Sequence, residues 1–461
     1  MKRIVLLLVS LSLIPCVAGA QESKLAAEFR LERQHIAESC SAFTLKNIGS
    51  CAITLATDHP FHVTFGSIAP QNGMAFGGAL VTHHTPNENW RLGWDSDAVA
   101  APGGAWRAGT YFRAIHTAIA PPTPTSGAGT PITIHPYPVF NGYAQIISLP
   151  TIPFYGLGPS SNHSDKTEFG MRQAILGTAA NVPLASPAIA RLALSVVGEA
   201  NARLVDLRPA TGDVPSIETK FSDADAPGLS QQPTFFQFGE GVRLAPALIN
   251  DHLQLNYLFQ WKQFVGTSGD NTFQRWTVDL GHDIPLYRTS RPGTPLPTNG
   301  PNECFTGPTG DSCPSVSRDR WGTVSVRLLV SKSMVSGSNS VPFYFQPTLG
   351  GSDINGSRAL PGYDDYRFRG PHVLLLQESI EHSVYGPVGV FVGSDQGKVA
   401  LQNEGLGFSD LRHSYTFGLT VRAGGFPAVV LSYSTSNAEG HHIAFTINTS
   451  LLGGSSRPSL Y

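Results

Sequence analysis

Apolar and polar residues alternate along several segments of the chain, which is the pattern of a β-strand with two different faces. The clearest segment covers residues 253–261, and similar alternation runs through residues 324–331, 415–422 and 443–451. In the first segment one face carries leucines and aromatic rings and the other carries amides: Leu253, Leu255, Tyr257, Phe259 and Trp261 against Gln254, Asn256 and Gln260. The pattern predicts an all-β protein.

The first face of these segments is rich in large apolar side chains, whereas the second face is small or polar. Each segment approaches the length of about 9–11 residues that a tilted strand needs to cross a membrane. A strand of a soluble sandwich also alternates, so a single segment does not decide between the two folds. The number and length of the segments favour a transmembrane antiparallel β-barrel with apolar side chains toward lipid. Such a sheet must close, because lipid cannot satisfy an open edge.

The composition indicates many turns and few long surface helices. Charged residues make up 14% of the chain, which contains 48 glycines and 35 prolines. The net charge of -2 gives no basic surface for nucleic acid. Beyond the N-terminal twenty residues, no apolar run is long enough for a transmembrane helix. Linkers of uneven length, such as residues 121–130, 206–233 and 288–318, predict short turns at one rim and long loops at the other.

The N-terminus has the three parts of a secretory signal. Lys2 and Arg3 precede an apolar run, and Ala18-Gly19-Ala20 is a cleavage site, so residues 1–20 are predicted to be removed. Residues 21–60 then form a short periplasmic segment, in which apolar positions among charges fit a short cap or plug helix. An ordered tail or linker is the favoured alternative there. The barrel is predicted over residues 61–461.

Four cysteines follow the predicted signal, in two pairs that are close in sequence: Cys40 with Cys51, and Cys304 with Cys313. In an oxidising compartment, such pairs predict local disulfides that close small loops. A zinc site would need closer spacing or neighbouring histidines, and neither pair has them. We therefore favour two disulfides over a metal site.

Residues 341–399 combine two apolar strands with a long loop that is rich in glycine, arginine and aspartate. The aromatic residues of this loop stand beside its charges: Tyr363, Tyr366 and Phe368 with Asp364, Asp365, Arg367 and Arg369. A loop in water has no need of that much aromatic surface. The composition predicts that the charges of this loop pair with one another or with the protein interior.

The same stretch resembles the barrel of the bacterial surface antigen family, the BamA/TamA outer-membrane superfamily. The residues that carry the resemblance are Leu349-Gly350-Gly351, Leu360, Gly362-Tyr363, Tyr366-Arg367-Phe368-Arg369 and Asp395-Gln396-Gly397-Lys398-Val399. More diffuse similarity at residues 63–77, 154–159 and 439–440 extends it over nearly all of the mature chain. The resemblance implies a sixteen-stranded barrel with a long loop folded into the lumen.

In that family, an arginine near the loop tip pairs with acidic and aromatic residues of the barrel wall. The position just before Gly362, where this arginine is expected, holds Pro361. The resemblance makes Asp395 the wall partner, and Glu378 and Glu381 lie on the preceding strand. We expect Arg367 or Arg369 to supply the missing charge; local pairing of both arginines with Asp364 and Asp365 is an equal alternative. The predicted lumen-loop residues are Leu360, Pro361, Gly362, Tyr363, Arg367, Phe368 and Arg369.

Sequence signatures of catalysis are missing. The chain has no nucleophile elbow in a strand–turn–helix context, no phosphate-binding loop and no dinucleotide fingerprint. Adjacent histidines at 83–84 and 441–442 point to opposite faces of a strand and make poor joint ligands, so we expect exposed turn residues. The chain is predicted not to be an enzyme and to hold no cofactor or metal.

The predicted function comes from the resemblance. It implies the insertion or translocation of proteins at the Gram-negative outer membrane, with lipid and unfolded outer-membrane or secreted polypeptides as partners. The seam between the first strand, near residues 63–76, and the last, near residues 443–451, would offer a free strand edge to an incoming hairpin. One alternative is a passive pore or structural barrel without insertase activity. A secreted soluble β enzyme is a third interpretation, which the missing catalytic motif disfavours.

Overall fold

The computed structural model describes residues 61–87, 89–116, 137–184, 192–248, 253–268, 271–289, 294–295, 305–307, 310–312, 315–316, 320–386, 388–423, 426–436, 439–447 and 457–461. The predicted signal sequence, the segment 21–60 and all four remaining cysteines lie outside these residues. Their predicted roles therefore stay predictions.

Long β-strands make up most of the described chain. They are β1 (Phe61–Ser67), β2 (Met74–Asn87), β3 (Trp90–Ala100), β4 (Trp106–His116), β5 (Val139–Phe154), β6 (Thr167–Pro183), β7 (Leu194–Pro209), β8 (Phe235–Leu244), β9 (Leu253–Gly266), β10 (Phe273–Thr289), β11 (Arg320–Val335), β12 (His372–Tyr385), β13 (Val388–Ala400), β14 (Arg412–Ala423), β15 (Phe426–Ser436) and β16 (Gly440–Ile447).

Several short elements accompany the long strands. Two- and three-residue strands cover Ala247–Leu248, Thr294–Pro295, Phe305–Gly307, Gly310–Ser312, Ser315–Val316, Thr348–Leu349 and Phe368–Arg369, and single 3-10 turns cover His163–Asp165, Ile217–Thr219, Phe343–Phe345 and Asn403–Gly405. Ala247–Leu248 continues the pairing of β8 along the same neighbour, β9. The main sheet therefore has sixteen strands.

The long strands pair with their neighbours in sequence, from β1 with β2 to β15 with β16, and the registers are antiparallel throughout. Trp261 of β9, for example, stands opposite Trp276 of β10. Antiparallel neighbours in sequence order can be joined by short connections at alternating rims. The prediction of an all-β, sixteen-stranded antiparallel sheet is confirmed.

The two faces of the sheet have opposite polarity to those of a soluble protein. Large apolar side chains are exposed on one face, among them Trp94, Leu176, Phe259, Phe417 and Ile443. The other face buries polar side chains, among them Gln145, Gln173, Arg203, Gln237, Thr416 and Ser434. Along β14 the alternation is as predicted, with Tyr415, Phe417, Leu419 and Val421 exposed and Ser414, Thr416 and Thr420 buried. This is the pattern of a barrel wall that faces lipid outside and a polar lumen inside.

The lumen loop, which we define as residues 341–371 between β11 and β12, lies against the polar face. Its Phe343 ring is 5.2 Å from the ring of Phe154 on β5. Its Leu360 donates to Asp395 on β13, and its Arg358 donates to Ser432 on β15. A single loop can touch the same face of strands at both halves of the sheet only if the sheet curves around it. The predicted position of the loop inside the barrel agrees with these contacts.

We expected the three long linkers to share one rim of the barrel, with short turns at the other. This expectation is wrong, because two of the three linkers lie at the rim opposite the third. Strand direction alternates, so the linker 206–233, between β7 and β8, shares a rim with the lumen loop. The linkers 121–130 and 288–318 instead follow β4 and β10, which run to the opposite rim. In the part of the chain that the structure describes, no helix is long and apolar enough to span a membrane.

The disulfide between Cys304 and Cys313 remains a prediction, which the short hairpin in that linker supports. Phe305 pairs with Ser312 there, and these two residues directly follow and precede the two cysteines in sequence. We expect the mature protein to show no alkylation of cysteine under denaturing conditions without reductant, and four alkylated cysteines after reduction, read by mass spectrometry. Alkylation of both cysteines before reduction would contradict the bridge.

Candidate functional site

The base of the lumen loop is an aromatic cluster. Phe343, Tyr344 and Phe345 form a 3-10 turn in which all three side chains are buried. The ring of Phe345 lies 4.9 Å from that of Phe235 on β8 and 5.5 Å from that of Phe264 on β9. These rings anchor the start of the loop to the wall through apolar burial, and the pair of Phe345 with Phe235 is edge-to-face.

The neck of the loop is a two-residue ladder, in which Thr348–Leu349 pairs antiparallel with Phe368–Arg369. The chain then turns at Gly350 and Gly351, which have φ angles of 105° and 57°. A Cβ at Gly351 would lie 2.7 Å from the backbone nitrogen of Asp365. The glycines of this motif are therefore required by a left-handed backbone and by the close approach of the returning limb.

Arg367 is the most completely paired charge of the loop, with only 3% of its side chain exposed. Its Nε and Nη2 donate to the two carboxylate oxygens of Glu439 at 2.6 and 2.7 Å, which is a bidentate pair. Nη1 donates to Ser161 Oγ at 2.9 Å, and Nη2 to the Ser161 carbonyl oxygen at 2.8 Å. The guanidinium also lies 4.5 Å from the Phe368 ring centroid and 5.1 Å from that of Tyr155.

Arg369 connects two parts of the lumen loop by hydrogen bonds. Its Nη1 donates to the carbonyl oxygens of Phe343 at 2.9 Å and Gln346 at 3.4 Å. Burial lowers the pKa of Arg369 to about 10, so it remains charged at neutral pH. Its carbonyl oxygen accepts from Gly158 at 2.7 Å, which ties the neck to the segment after β5. Arg369 therefore holds the aromatic turn and the neck together.

The structure corrects the predicted partner of these arginines. Arg367 pairs with Glu439, at the turn before the last strand, and Arg369 donates to backbone carbonyl oxygens of the loop, so neither takes the predicted aspartate as its partner. Asp395 still contacts the loop tip, because its Oδ2 accepts the Leu360 N–H at 2.9 Å and the Gln377 Nε2 at 3.0 Å. A backbone N–H and a side-chain amide thus donate to Asp395 in this chain, where Pro361 stands at the position expected for an arginine.

The two glutamates that we predicted as partners of the loop, Glu378 and Glu381, do not contact its arginines. Glu378 is exposed and stands opposite Val326 on the outer face of the wall, so it cannot face the loop. Glu381 points inward but accepts from Thr420 Oγ1 at 2.6 Å. The strand alternation alone could have separated these two residues. Tyr363 is buried, with its ring 5.2 Å from that of Phe368.

Asp364 and Asp365, which are adjacent in the loop, reach opposite sides of the seam, defined here as the junction of β1 with β16. Asp365 Oδ2 accepts from Gln71, in the β1–β2 turn, at 2.6 Å. Asp364 Oδ1 lies 3.5 Å from His442 Nε2, on β16. His442 is therefore not the exposed turn residue that we predicted, because it faces the loop. The loop thus has a hydrogen bond to the β1–β2 turn and a 3.5 Å contact with β16 through consecutive carboxylates.

Asp364 is also tied to the segment after β5. Its Oδ2 accepts from Tyr155 at 3.1 Å and lies 2.9 Å from His163 Nε2. Burial raises the pKa of Asp364, but hydrogen bonds from His163 and Tyr155 outweigh it and hold the pKa below its ordinary value. Burial and the nearby Asp364 charge raise the pKa of Tyr155. Asp364 is therefore ionised, and Tyr155 is a neutral donor, at neutral pH.

A cavity of about 1210 Å³ lies at the seam. Its lining includes Phe65 of β1 and Ile443 and Phe445 of β16, which belong to the outer face. It also includes Arg107 and Gln145, which belong to the buried inner face. A cavity lined from both faces crosses the wall at this junction.

Sequence reasoning missed the partners of Arg367, Asp364 and Asp365. Three of the sequence segments that resembled the surface antigen barrel meet at this site: the loop, the segment 154–159 and the turn at 439–440. Their shared resemblance was the available signal that Glu439 belongs with the loop. Among the described residues, no group of three or more histidine, cysteine or acidic side chains could hold a metal ion.

No family model matches the sequence. No curated protein matches it. Among solved structures, the chain is similar to CdiB from Acinetobacter baumannii, with 11% identity over 87% of this chain and 67% of that one and a TM-score of 0.43. It is similar to BamA from Haemophilus ducreyi lacking POTRA domains 1-3, with 11% identity, 84% and 69% coverage and a TM-score of 0.48. It is also similar to CdiB from Escherichia coli, with 10% identity, 84% and 62% coverage and a TM-score of 0.49.

Proposed function

We propose that this chain is a BamA/TamA-type barrel of the Gram-negative outer membrane and that it inserts or translocates polypeptides at the seam between β1 and β16. The barrel reaches the membrane after removal of the signal sequence. Lipid covers its outer face, and unfolded outer-membrane or secreted polypeptides are its partners. The lumen loop holds the two sides of the seam together between events.

The membrane location is supported by the polarity of the wall. Exposed aromatic and aliphatic side chains follow the outer face of successive strands, from Trp94 on β3 to Phe445 on β16. In water this surface would be a contiguous apolar patch, which soluble monomers avoid. Charged groups such as Arg203 and Arg275 are instead turned into the barrel and buried. This arrangement suits lipid as the surrounding solvent.

The role of the seam rests on the cavity that crosses the wall there. A strand edge that faces such a cavity can accept an added strand through backbone hydrogen bonds. The loop contacts both sides of this cavity, through a hydrogen bond of Asp365 with Gln71 and a 3.5 Å approach of Asp364 to His442. An incoming hairpin would therefore have to displace these loop contacts. The geometry favours a gated edge over a fixed wall.

The packing of the lumen argues against the passive pore. The aromatic turn of the loop contacts the walls at β5, β6, β8 and β9, where the rings of Phe154, Phe169, Phe235 and Phe264 meet it. A water-filled channel needs an unobstructed lumen. Steady ion conductance across a planar bilayer, without insertion activity, would favour the pore.

Joining the two strands of the seam tests the proposal. Ser67→Cys and Thr446→Cys would be combined in a chain whose other cysteines are replaced by serine, and linked by a reducible bifunctional thiol reagent. We expect the unlinked protein in liposomes to accelerate the folding of an unfolded reporter barrel. Linking should abolish the acceleration, because the strand edge can no longer separate, and reduction should restore it.

A matched control uses a cross-strand pair far from the seam. Ser325 of β11 and Ser379 of β12 stand opposite each other. Linking cysteines at these two positions should leave the acceleration unchanged. If the seam cross-link also leaves it unchanged, or if the unlinked protein has no activity, the proposed mechanism is wrong.

A further inference from the structure

Residues 457–461 lie inside the barrel, against the inner wall and the tip of the lumen loop. Leu460 is buried among residues of the interior cluster. Its carbonyl oxygen accepts from Gln173 of β6 at 3.2 Å, and its N–H donates to Asn355 of the loop at 2.7 Å. The hydroxyl of Tyr461 donates to Asp353, also in the loop. The segment is therefore held by specific side-chain contacts.

The other end of the segment is held by a buried carboxylate. Arg457 Nη2 lies 2.7 Å from Asp97 Oδ2, and Arg107 Nη2 lies 3.0 Å from the same oxygen. Asp97 is 7% exposed, whereas Arg457 is 37% exposed. The carboxylate of Asp97 therefore keeps one ion-pair partner, Arg107, without the segment.

One acceptor of this site is unused. Among the described residues, Asp97 Oδ1 is buried and has no hydrogen-bond partner. A buried carboxylate oxygen without a donor is costly. A guanidinium that approaches Asp97 with two N–H groups would satisfy both oxygens, as in a bidentate pair. Arg457 uses one donor here, so the site can bind an arginine more completely than its own segment does.

The segment also borders the seam. Arg457, Pro458, Ser459 and Leu460 all line the cavity of about 1210 Å³ between β1 and β16. This cavity gives residues 457–461 space to leave and gives another extended chain space to enter. Residues 457–461 run from Asp97, which Arg457 contacts, to the lumen loop, which Leu460 contacts.

We propose that Asp97, Gln173, Asp353 and Asn355 form a binding site for an extended peptide segment, which residues 457–461 occupy in cis. The segment it takes carries an arginine, then two residues, then a large apolar residue and an aromatic hydroxyl. Asp97 binds the arginine, Gln173 and Asn355 bind the backbone around the apolar residue, and Asp353 binds the hydroxyl. The inference deepens the proposed function, because an incoming polypeptide at the seam would compete for this site.

The test is a binding measurement that does not require insertion. The probe is a fluorescent peptide Arg-Pro-Ser-Leu-Tyr, and the protein is a full-length variant with residues 457–461 replaced by glycine and serine, in detergent. Fluorescence anisotropy should show saturable binding. A peptide Ala-Pro-Ser-Leu-Tyr should bind about tenfold more weakly or worse, because a charge-assisted hydrogen bond is lost. The unaltered protein should bind the probe less, because its own segment occupies the site at high effective concentration.

A second variant tests the carboxylate. Asp97→Asn in the replaced background should reduce the preference for the arginine peptide over the alanine peptide, and heat-modifiable gel migration shows that each barrel is folded. Equal binding of both peptides, no binding, or equal binding to the unaltered and replaced proteins would overturn the inference. If the peptide does not bind but the protein still accelerates the folding of the reporter barrel, only this inference is wrong. Peptide binding without any insertion activity removes only the proposed function.

Discussion

Replacing Arg367 with alanine is expected to release the lumen loop and to lower the thermal stability of the barrel. The substitution removes four donated hydrogen bonds and leaves the Glu439 carboxylate, which is only 15% exposed, without its partner. Breaking a buried pair by removing one partner costs about 3–5 kcal/mol. The midpoint of the heat-modifiable gel shift should fall by several degrees, and protease should cleave within residues 350–366 of the folded barrel.

Two companion variants separate the ion pair from other causes. Arg367→Lys keeps the charge but loses the bidentate geometry and the planar contact with Phe368, so it should recover part of the lost stability. Glu439→Gln should destabilise, and a double-mutant cycle of Arg367→Ala with Glu439→Gln should give a coupling of at least about 1 kcal/mol. Additive effects in that cycle, or an unchanged midpoint for Arg367→Ala, would show that this pair does not hold the loop.

Gly362→Ala is expected to expel the loop tip from the wall. A Cβ at this position would overlap the backbone carbonyl carbon of Thr435 and the backbone nitrogen of Ser436, at the end of β15. Backbone atoms of a paired strand cannot move aside as a flexible side chain can. The Gly362 N–H also donates to Ser414 Oγ at 2.7 Å, and that bond would be lost. We expect a loss of about 1–3 kcal/mol, the usual cost of overpacking, and increased ion conductance through the less obstructed lumen.

Gly407 provides the matched control, because no atom lies within 4 Å of a Cβ built there. Gly407→Ala, in the segment between β13 and β14, should leave both the midpoint and the conductance unchanged. A folded Gly362→Ala variant with the stability and conductance of the parent would mean that the loop tip does not pack as described.

The strands and their faces could be predicted because alternation is a local property. In residues 415–421 the sequence alone predicts which side chains share the apolar face, and the structure has those side chains exposed. The glycine-rich composition of the loop was also visible in the sequence, and the positive φ angles of Gly350 and Gly351 give its physical reason. These features depend on neighbours a few residues away.

The partners of the loop could not be predicted in this way. Glu439 is 72 positions from Arg367, and Gln71 is 294 positions from Asp365. A sequence pattern gives the type and local spacing of a residue, but it does not give distances across a lumen. Glu378 shows the opposite error, because proximity in sequence to Asp395 suggested a shared role, whereas strand alternation places it on the outer face.

The pairing of Arg367 with Glu439 also sets the order in which the barrel can mature. Arg367 and Glu439 are 72 positions apart, and the carboxylate is in place only when the hairpin of β15 and β16 has formed. Until then the arginine has to remain hydrated, since an unpaired guanidinium is costly to bury. The part of the loop around Arg367 can therefore settle only after that hairpin has formed, whereas the aromatic turn, which contacts β5, β6, β8 and β9, does not depend on it.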